Sequence, residues 1–339
     1  MYRNMKNWVA EQIAAPVKKP LPLLSFPCIR LLGVSVQELI SDSTLQARGM
    51  KAVADRVPSA AAVSLMDLSV EAECFGSTVH FSEGEVPTVV GAVVSDEDEA
   101  DALNIPEVGA ARSGIYVDAV AKAVEMITDR PVFAGVIGPF SLAGRLMDVS
   151  EAMIYCYDEP DMVHTVLQKV TQFTIAYCKA YKAAGANGVV IAEPLAGLLS
   201  PTHAAEFSHP YVRQIVEAVQ DEGFAVIYHN CGNNTPLMQD GIYGIGAMGY
   251  HFGDAIHLAD MLPKAPADVL VMGNVSPSQE LCNGTPASVT KVTQQIMAEC
   301  TGYPNFVISS GCDVPPLSPW DNLEAFFAAA DEFYRQKNG

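Results

Sequence analysis

Three residues of this chain offer donor atoms that a transition-metal ion would take, and each sits where an apolar run gives way to glycine. His229 and Cys231 are one residue apart in YHNCGNN, and Cys312 closes the run NFVISSGC. Alternate residues of an extended strand point the same way, so His229 and Cys231 share a face if strand geometry persists that far. One imidazole nitrogen and two thiolates form a three-ligand set for Zn2+. Such a set leaves the fourth tetrahedral position for water, substrate or a displaceable side chain, the pattern of a catalytic zinc. Gly232 and Gly311 stand beside the two thiols and let the backbone bend towards an ion. The six other cysteines, at 28, 74, 156, 178, 282 and 300, lie on helical stretches or away from these strand ends and read as small buried hydrophobes.

Residues so far apart in sequence meet only if a fold gathers strand ends. Seven short apolar runs stand out, five of them ending in Gly, Pro or Asp: AAVSLMD (61–67), PVFAGVIGP (131–139), NGVVIAEP (187–194), FAVIYHNCG (224–232), GIGAMGY (244–250), DVLVMGNVSP (268–277) and NFVISSGC (305–312). Longer helical segments separate them, which predicts βα units around a parallel sheet buried on both faces. Ser200-Pro201-Thr202 opens one helix, and Asp158-Glu159-Pro160 opens another that Gly185 stops. With PLPLLSF (20–26) as an eighth strand, the count favours a closed (β/α)8 barrel spanning 1–339 as a single domain. An N-terminal helical extension precedes the barrel. The irregular stretch 75–112, with the acidic SDEDEADAL, reads as an insertion after an early strand and a candidate lid.

A barrel of this kind does its chemistry at the C-terminal ends of its strands. Those ends carry Asp67, Gly138, Glu193, His251 and Asn274 besides the triad. His251 is the first candidate for a fourth zinc ligand and Glu193 the second. Asp67, Glu193 and Asn274 are placed to line a substrate pocket. Backbone N–H groups from Gly138 to Ser141, at a helix start, could receive an anionic tail such as a sulfonate.

Composition excludes other classes. Twenty Lys and Arg against 39 Asp and Glu give a net charge of −19, with no basic cluster longer than Lys18-Lys19, so nucleic acid and anionic membrane surfaces are disfavoured partners. Half of the residues are hydrophobic, which supports a large core and excludes a disordered chain. No continuous apolar stretch spans a bilayer, and Glu11 and Gln12 interrupt any signal-peptide core, so a cytoplasmic enzyme with reduced thiols is expected.

At YHNCGNN and SSGCDVPPLSP the sequence resembles the uroporphyrinogen decarboxylase superfamily, and within it the zinc-dependent methylcobamide:thiol methyltransferases of the coenzyme M type. DLSVEAECFG (67–76), IGPFSLAGRL (137–146), IAEPLAGLLSPTHAAEF (191–207), MGNVSP (272–277) and GCDVPPLSPWDNLEAF (311–326) extend the likeness over nearly the whole chain. The resemblance implies a (β/α)8 barrel whose Zn2+, at His229, Cys231 and Cys312, binds the acceptor thiol. The methyl group would come from a methylcobamide. No D-x-H-x-x-G corrinoid-binding segment stands in this chain, so the corrinoid would belong to a partner protein. The decarboxylases resemble one another in an N-terminal R-Q-A-G-R segment that pairs with substrate carboxylates. Here the corresponding LSFPCIRLLGVSV holds Arg30 as its only cation, which weighs against a decarboxylase. A donor-side methyltransferase that loads a corrinoid protein, and a metal- or corrinoid-binding module without turnover, are the other readings.

Overall fold

The computed structural model describes residues 3–338. Nine strands occur among the described residues: β1 (Ala62–Val63), β2 (Thr78–His80), β3 (Thr88–Val90), β4 (Val132–Ile137), β5 (Gly188–Ala192), β6 (Ala225–Asn230), β7 (Gly249–Phe252), β8 (Leu270–Val275) and β9 (Phe306–Ser310). All but β2 and β3 form one parallel sheet in the order β1-β4-β5-β6-β7-β8-β9, with helices between successive strands. The seven predicted runs each supply a strand. β1 keeps only two residues of its run, and β7 starts five residues later than predicted, at Gly249.

The eighth position is filled, though not by a regular strand. Residues 20–24 lie extended between β9 and β1: Leu21 N–H donates to Ile308 O at 3.0 Å, and Ala60 N–H donates to Pro20 O at 2.9 Å. Pro20 and Pro22 have no N–H to donate, so the ladder cannot repeat along this segment. The ring is thereby closed as a (β/α)8-type barrel.

Side chains inside the barrel follow the period of two. Val190 and Ala192, Ala225 and Ile227, Leu270 and Met272, and Phe133 and Val307 form one apolar cluster. The N-terminal helix Met5–Ala14 packs its Met5, Trp8 and Val9 into that cluster, with the Trp8 and Phe133 rings 5.9 Å apart, and so plugs the end of the barrel opposite the strand C-termini. Alternate strand residues such as Val136, Ile191, Val226, Tyr228 and Tyr250 face outward into the larger cluster shared with the helices.

The stretch 75–112 is an insertion as expected, but it has structure of its own. β2 and β3 form an antiparallel hairpin, and the acidic run becomes the helix Glu97–Ala102. Asp96 caps that helix by accepting from Glu99 N–H, and Glu97, Asp98 and Glu99 occupy its first turn, where the helix dipole favours negative charge. Val93 and Val94 N–H both donate to Leu146 O, which ties the insertion to the helix after β4. Among the described residues no helix is long and apolar enough to cross a membrane.

Candidate metal centre

Register decides which side chains meet. β6 and β7 pair in parallel with His229 opposite His251, and β5 pairs with β6 so that Ala192 lies opposite His229. Continuing Ala225 and Ile227 at period two, His229 points into the barrel, and His251 follows Gly249 in the same way. Polar side chains therefore replace the apolar layers at the C-terminal end, and both histidines are buried.

The three sequence-predicted ligands come together. One donor atom each from His229, Cys231 and Cys312 lies within 4.8 Å of the others, and Cys312 Sγ stands 3.4 Å from His229 Nε2. A tetrahedral Zn2+ with ligand distances of about 2.0–2.3 Å sets its donors roughly 3.5–3.8 Å apart. The spacing and the chemistry of the donor set fit that ion. Cys231 reaches the site because the turn after β6 is held tightly. Asn230 Oδ1 accepts from Gly232 N–H at 3.0 Å and from the Thr235 hydroxyl at 3.0 Å, while Gly197 and Gly232 pass so closely that a Cβ on either would overlap the other's backbone. The Cys312 thiol donates towards Cys231, which lowers the Cys231 pKa and pushes Cys312 up to about 12. Both thiols are half-buried, so the sulfur side of the cluster faces the barrel mouth while the imidazole lies beneath it.

His251, the first candidate for a fourth ligand, lies outside the donor cluster. Its Nδ1 meets His229 Nδ1 at 2.8 Å, on the edge of the His229 ring away from the thiols, and its Nε2 meets Ser309 Oγ at 2.7 Å. Proton positions follow from the ends of this chain. The Ser309 hydroxyl donates to Leu21 O at 2.7 Å, so its oxygen accepts from His251 Nε2–H. Burial and the neighbouring His229 hold the His251 pKa well below the usual histidine value, so His251 Nδ1 carries no proton and accepts. His229 Nδ1 also lies 3.3 Å from the His251 carbonyl oxygen, which can only accept. His229 Nδ1 therefore donates, and its Nε2 presents a lone pair to the thiols. A hydrogen bond on the far nitrogen of this kind fixes the tautomer and orientation of a metal-binding imidazole.

Glu193 and the Gly138–Ser141 turn, predicted separately, bind each other. The Glu193 carboxylate accepts from Phe140 N–H at 2.9 Å, from Ser141 N–H at 3.0 Å and from the Ser141 hydroxyl at 2.7 Å. The N-terminus of helix Pro139–Met147 is thus taken by the protein's own carboxylate, which corrects two expectations: Glu193 is not at the metal cluster, and these amides are not free for a substrate anion. Burial pushes the Glu193 carboxyl up to about 7 against its three donors. A Cβ at Gly138 would overlap Glu193 Cγ and its carboxyl group. Gly138→Ala is expected to destabilise the fold by about 1–3 kcal/mol, read as a lower urea midpoint at unchanged slope. An unaltered midpoint would mean that Glu193 does not sit there.

Asn274 also has a bracing role, since its amide donates to Gly253 O at 3.0 Å and Ile256 O at 2.9 Å. Asp67 is buried at the mouth, where it accepts from Arg112, Tyr116 and Ser69.

Comparison with known proteins agrees with this architecture. The family described as "Uroporphyrinogen decarboxylase (URO-D)" matches residues 25–333. The chain belongs to the uroporphyrinogen decarboxylase family. A methylcobamide:CoM methyltransferase, MtbA, of Methanosarcina acetivorans is 26% identical over 276 residues, covering 79% of this chain and 78% of its own. The uroporphyrinogen decarboxylase of Flavobacterium johnsoniae is 27% identical over 285 residues, covering 82% and 81%. Among solved structures, a methyltransferase from Methanosarcina mazei superposes with a TM-score of 0.86 at 22% identity, over 98% of this chain and 99% of that one. Overall identity therefore does not separate the two activities found within the family, and the separation has to come from the site.

Several residues that shape the mouth of this family member were not singled out from sequence. Arg112 is buried and pairs with Asp67 and Glu73, and Ser309 ends the relay behind His229. Glu71 accepts from Ile137 N–H at 2.9 Å, and burial pushes its carboxyl up to about 8. An isolated arginine in an insertion or a serine in an apolar run has no period or spacing to mark it.

Proposed function

We propose that this protein is a zinc-dependent methyltransferase that moves a methyl group from a methylcobamide, carried by a separate corrinoid protein, to a small thiol such as coenzyme M, with the chain 1–339 acting as one catalytic domain. The observation that carries this reading is the His229–Cys231–Cys312 cluster, open on the mouth side and braced behind by His251 and Ser309. Likeness to the MtbA proteins, which are methylcobamide:CoM methyltransferases, supports it.

Zn2+ held by the three residues would deprotonate an acceptor thiol whose ordinary pKa of about 8.5 leaves it mostly protonated at neutral pH. The chain's own residues do the remaining work. His229 offers Nε2 in a fixed tautomer, the half-buried sulfurs of Cys231 and Cys312 admit a ligand from the mouth, and buried His251 shuts water out from below. In the overall transfer the thiol proton goes to solvent, a carbon–sulfur bond forms, and the cobalt–carbon bond breaks with both electrons left on cobalt. Incubating the zinc-loaded protein with methylcobalamin and 2-mercaptoethanesulfonate is expected to give the S-methyl product and cob(I)alamin. Demethylation of a methoxylated compound in the presence of a reduced corrinoid protein, with no thiol methylated, would replace this reading by the donor-side one.

The decarboxylase activity of other family members is not expected here. A tetrapyrrole with eight carboxylates needs several cationic partners, whereas Arg30 is exposed and Arg112 is neutralised by Asp67 and Glu73. Uroporphyrinogen should emerge unchanged from prolonged incubation, and coproporphyrinogen in the product mixture would overturn the prediction.

A further inference from the structure

One cation at the mouth has no counter-ion. Arg145 projects from the helix Pro139–Met147 that leaves β4, and the carboxylates whose fields it feels are Glu71 and Asp67. Neither pairs with it: among the described residues no Asp or Glu oxygen lies within ion-pair distance of its guanidinium, and its Nε is sealed from solvent with no acceptor. Asp67 already accepts from Arg112, Tyr116 and Ser69. Glu71 receives the Ile137 N–H, and burial keeps its carboxyl protonated at neutral pH. Arg145 lies on the helix that leaves the C-terminal end of β4, and Asp67 follows β1, the strand paired with β4, so both belong to the rim on which β6 and β9 gather His229, Cys231 and Cys312. A half-buried arginine whose Nε is sealed without an acceptor is costly to maintain, because guanidinium N–H groups taken from water need their hydrogen bonds replaced. An anionic ligand would replace them, and guanidinium geometry suits a planar or tetrahedral oxyanion.

We propose that Arg145 is the receptor for the anionic group of the acceptor, a sulfonate or carboxylate, and sets the enzyme's preference for a charged over a neutral thiol. This assignment rests on the thiol-methylating reading above. It also replaces the helix start at Gly138–Ser141, already taken by Glu193, as the anion site.

The test uses the zinc-loaded full chain, with ethanesulfonate as a probe that cannot react, alongside kinetics with 2-mercaptoethanesulfonate and 2-mercaptoethanol. Calorimetric titration should show ethanesulfonate binding to the unaltered protein and not to Arg145→Gln, with Arg145→Lys intermediate because it keeps the charge and loses the fork. Arg145→Gln should raise KM for the sulfonated thiol on the order of 10- to 100-fold, the effect of losing a charge-assisted hydrogen bond, while KM for the neutral thiol and the zinc content stay as they were. Arg30→Gln, at an exposed site, should change nothing. Equal KM increases for both thiols, or ethanesulfonate binding that survives Arg145→Gln, would overturn the proposal. If Arg145→Gln does not fold, failure of the unaltered protein to bind ethanesulfonate overturns it alone. Should ethanesulfonate bind in an Arg145-dependent way while no thiol is methylated, the anion site stands and the proposed reaction falls.

Discussion

Cys312→Ala, and separately Cys231→Ala, is expected to lower bound zinc from about one ion per chain to near none after dialysis against a chelator, and to abolish thiol methylation. The cluster has three protein donors within 4.8 Å, so either substitution leaves two, too few for a tightly held ion at an open site. Protein stability should move much less, because both thiols are half-buried at the mouth rather than packed in the core. Cys178→Ala supplies the contrast. That thiol is wholly buried on the helix Pro160–Ala183, and burial drives its pKa far above the usual thiol value. Its loss should lower the unfolding midpoint and leave zinc content unchanged. Elemental analysis, a thiol-methylation assay and urea unfolding of the three variants check these outcomes together. Full zinc in either cluster variant would place the metal elsewhere and remove the basis of the proposed reaction.

The contrast among these cysteines shows what can be read from the chain alone. A candidate ligand set at strand ends is visible in sequence because two local patterns coincide, a period-two H-x-C and a neighbouring glycine, on runs whose alternation with helices already implies a barrel. The barrel itself was legible for the same reason, since each of the seven runs is a continuous apolar segment of strand length. The closing segment was less so: PLPLLSF has the length and apolarity of a strand, but its two prolines reduce it to an extended bridge between β9 and β1.

What sequence could not give was the direction in which polar strand-end residues turn. His251 and Glu193 both stand at strand ends and both can ligate zinc. Cross-strand register sends the first behind His229, and the open amides of Phe140 and Ser141 draw the second away to a helix start. Each is satisfied by a neighbour contributed from another βα unit, and pairings of that range leave no trace in local spacing. Arg145 illustrates the converse. Its interest lies in the absence of a partner, which becomes visible only when every nearby carboxylate has been accounted for.

The relay behind His229 leads to the second large effect. His251→Phe keeps a ring of similar size but removes the Nδ1 that accepts from His229 and the Nε2–H that reaches Ser309. His229 Nδ1–H then keeps only the longer contact to the residue 251 carbonyl at 3.3 Å, and nothing else fixes the ring with Nε2 towards the sulfurs. Weakening one buried hydrogen bond costs about 1–3 kcal/mol, and loss of comparable outer supports at metal sites lowers affinity roughly 10- to 100-fold. Zinc titrated against a competing chelator should therefore show a dissociation constant raised by about that factor. Ser309→Ala, which leaves the His229–His251 contact in place, should have a smaller effect in the same direction. Because the residues act in series, the double variant should bind zinc about as weakly as His251→Phe alone, rather than by the product of the two factors. A direct ligand would behave differently. Were His251 the fourth donor, His251→Phe would change the number of nitrogen neighbours in the zinc X-ray absorption spectrum, whereas a positioning role leaves one nitrogen and two sulfurs from the protein and alters only how firmly they hold.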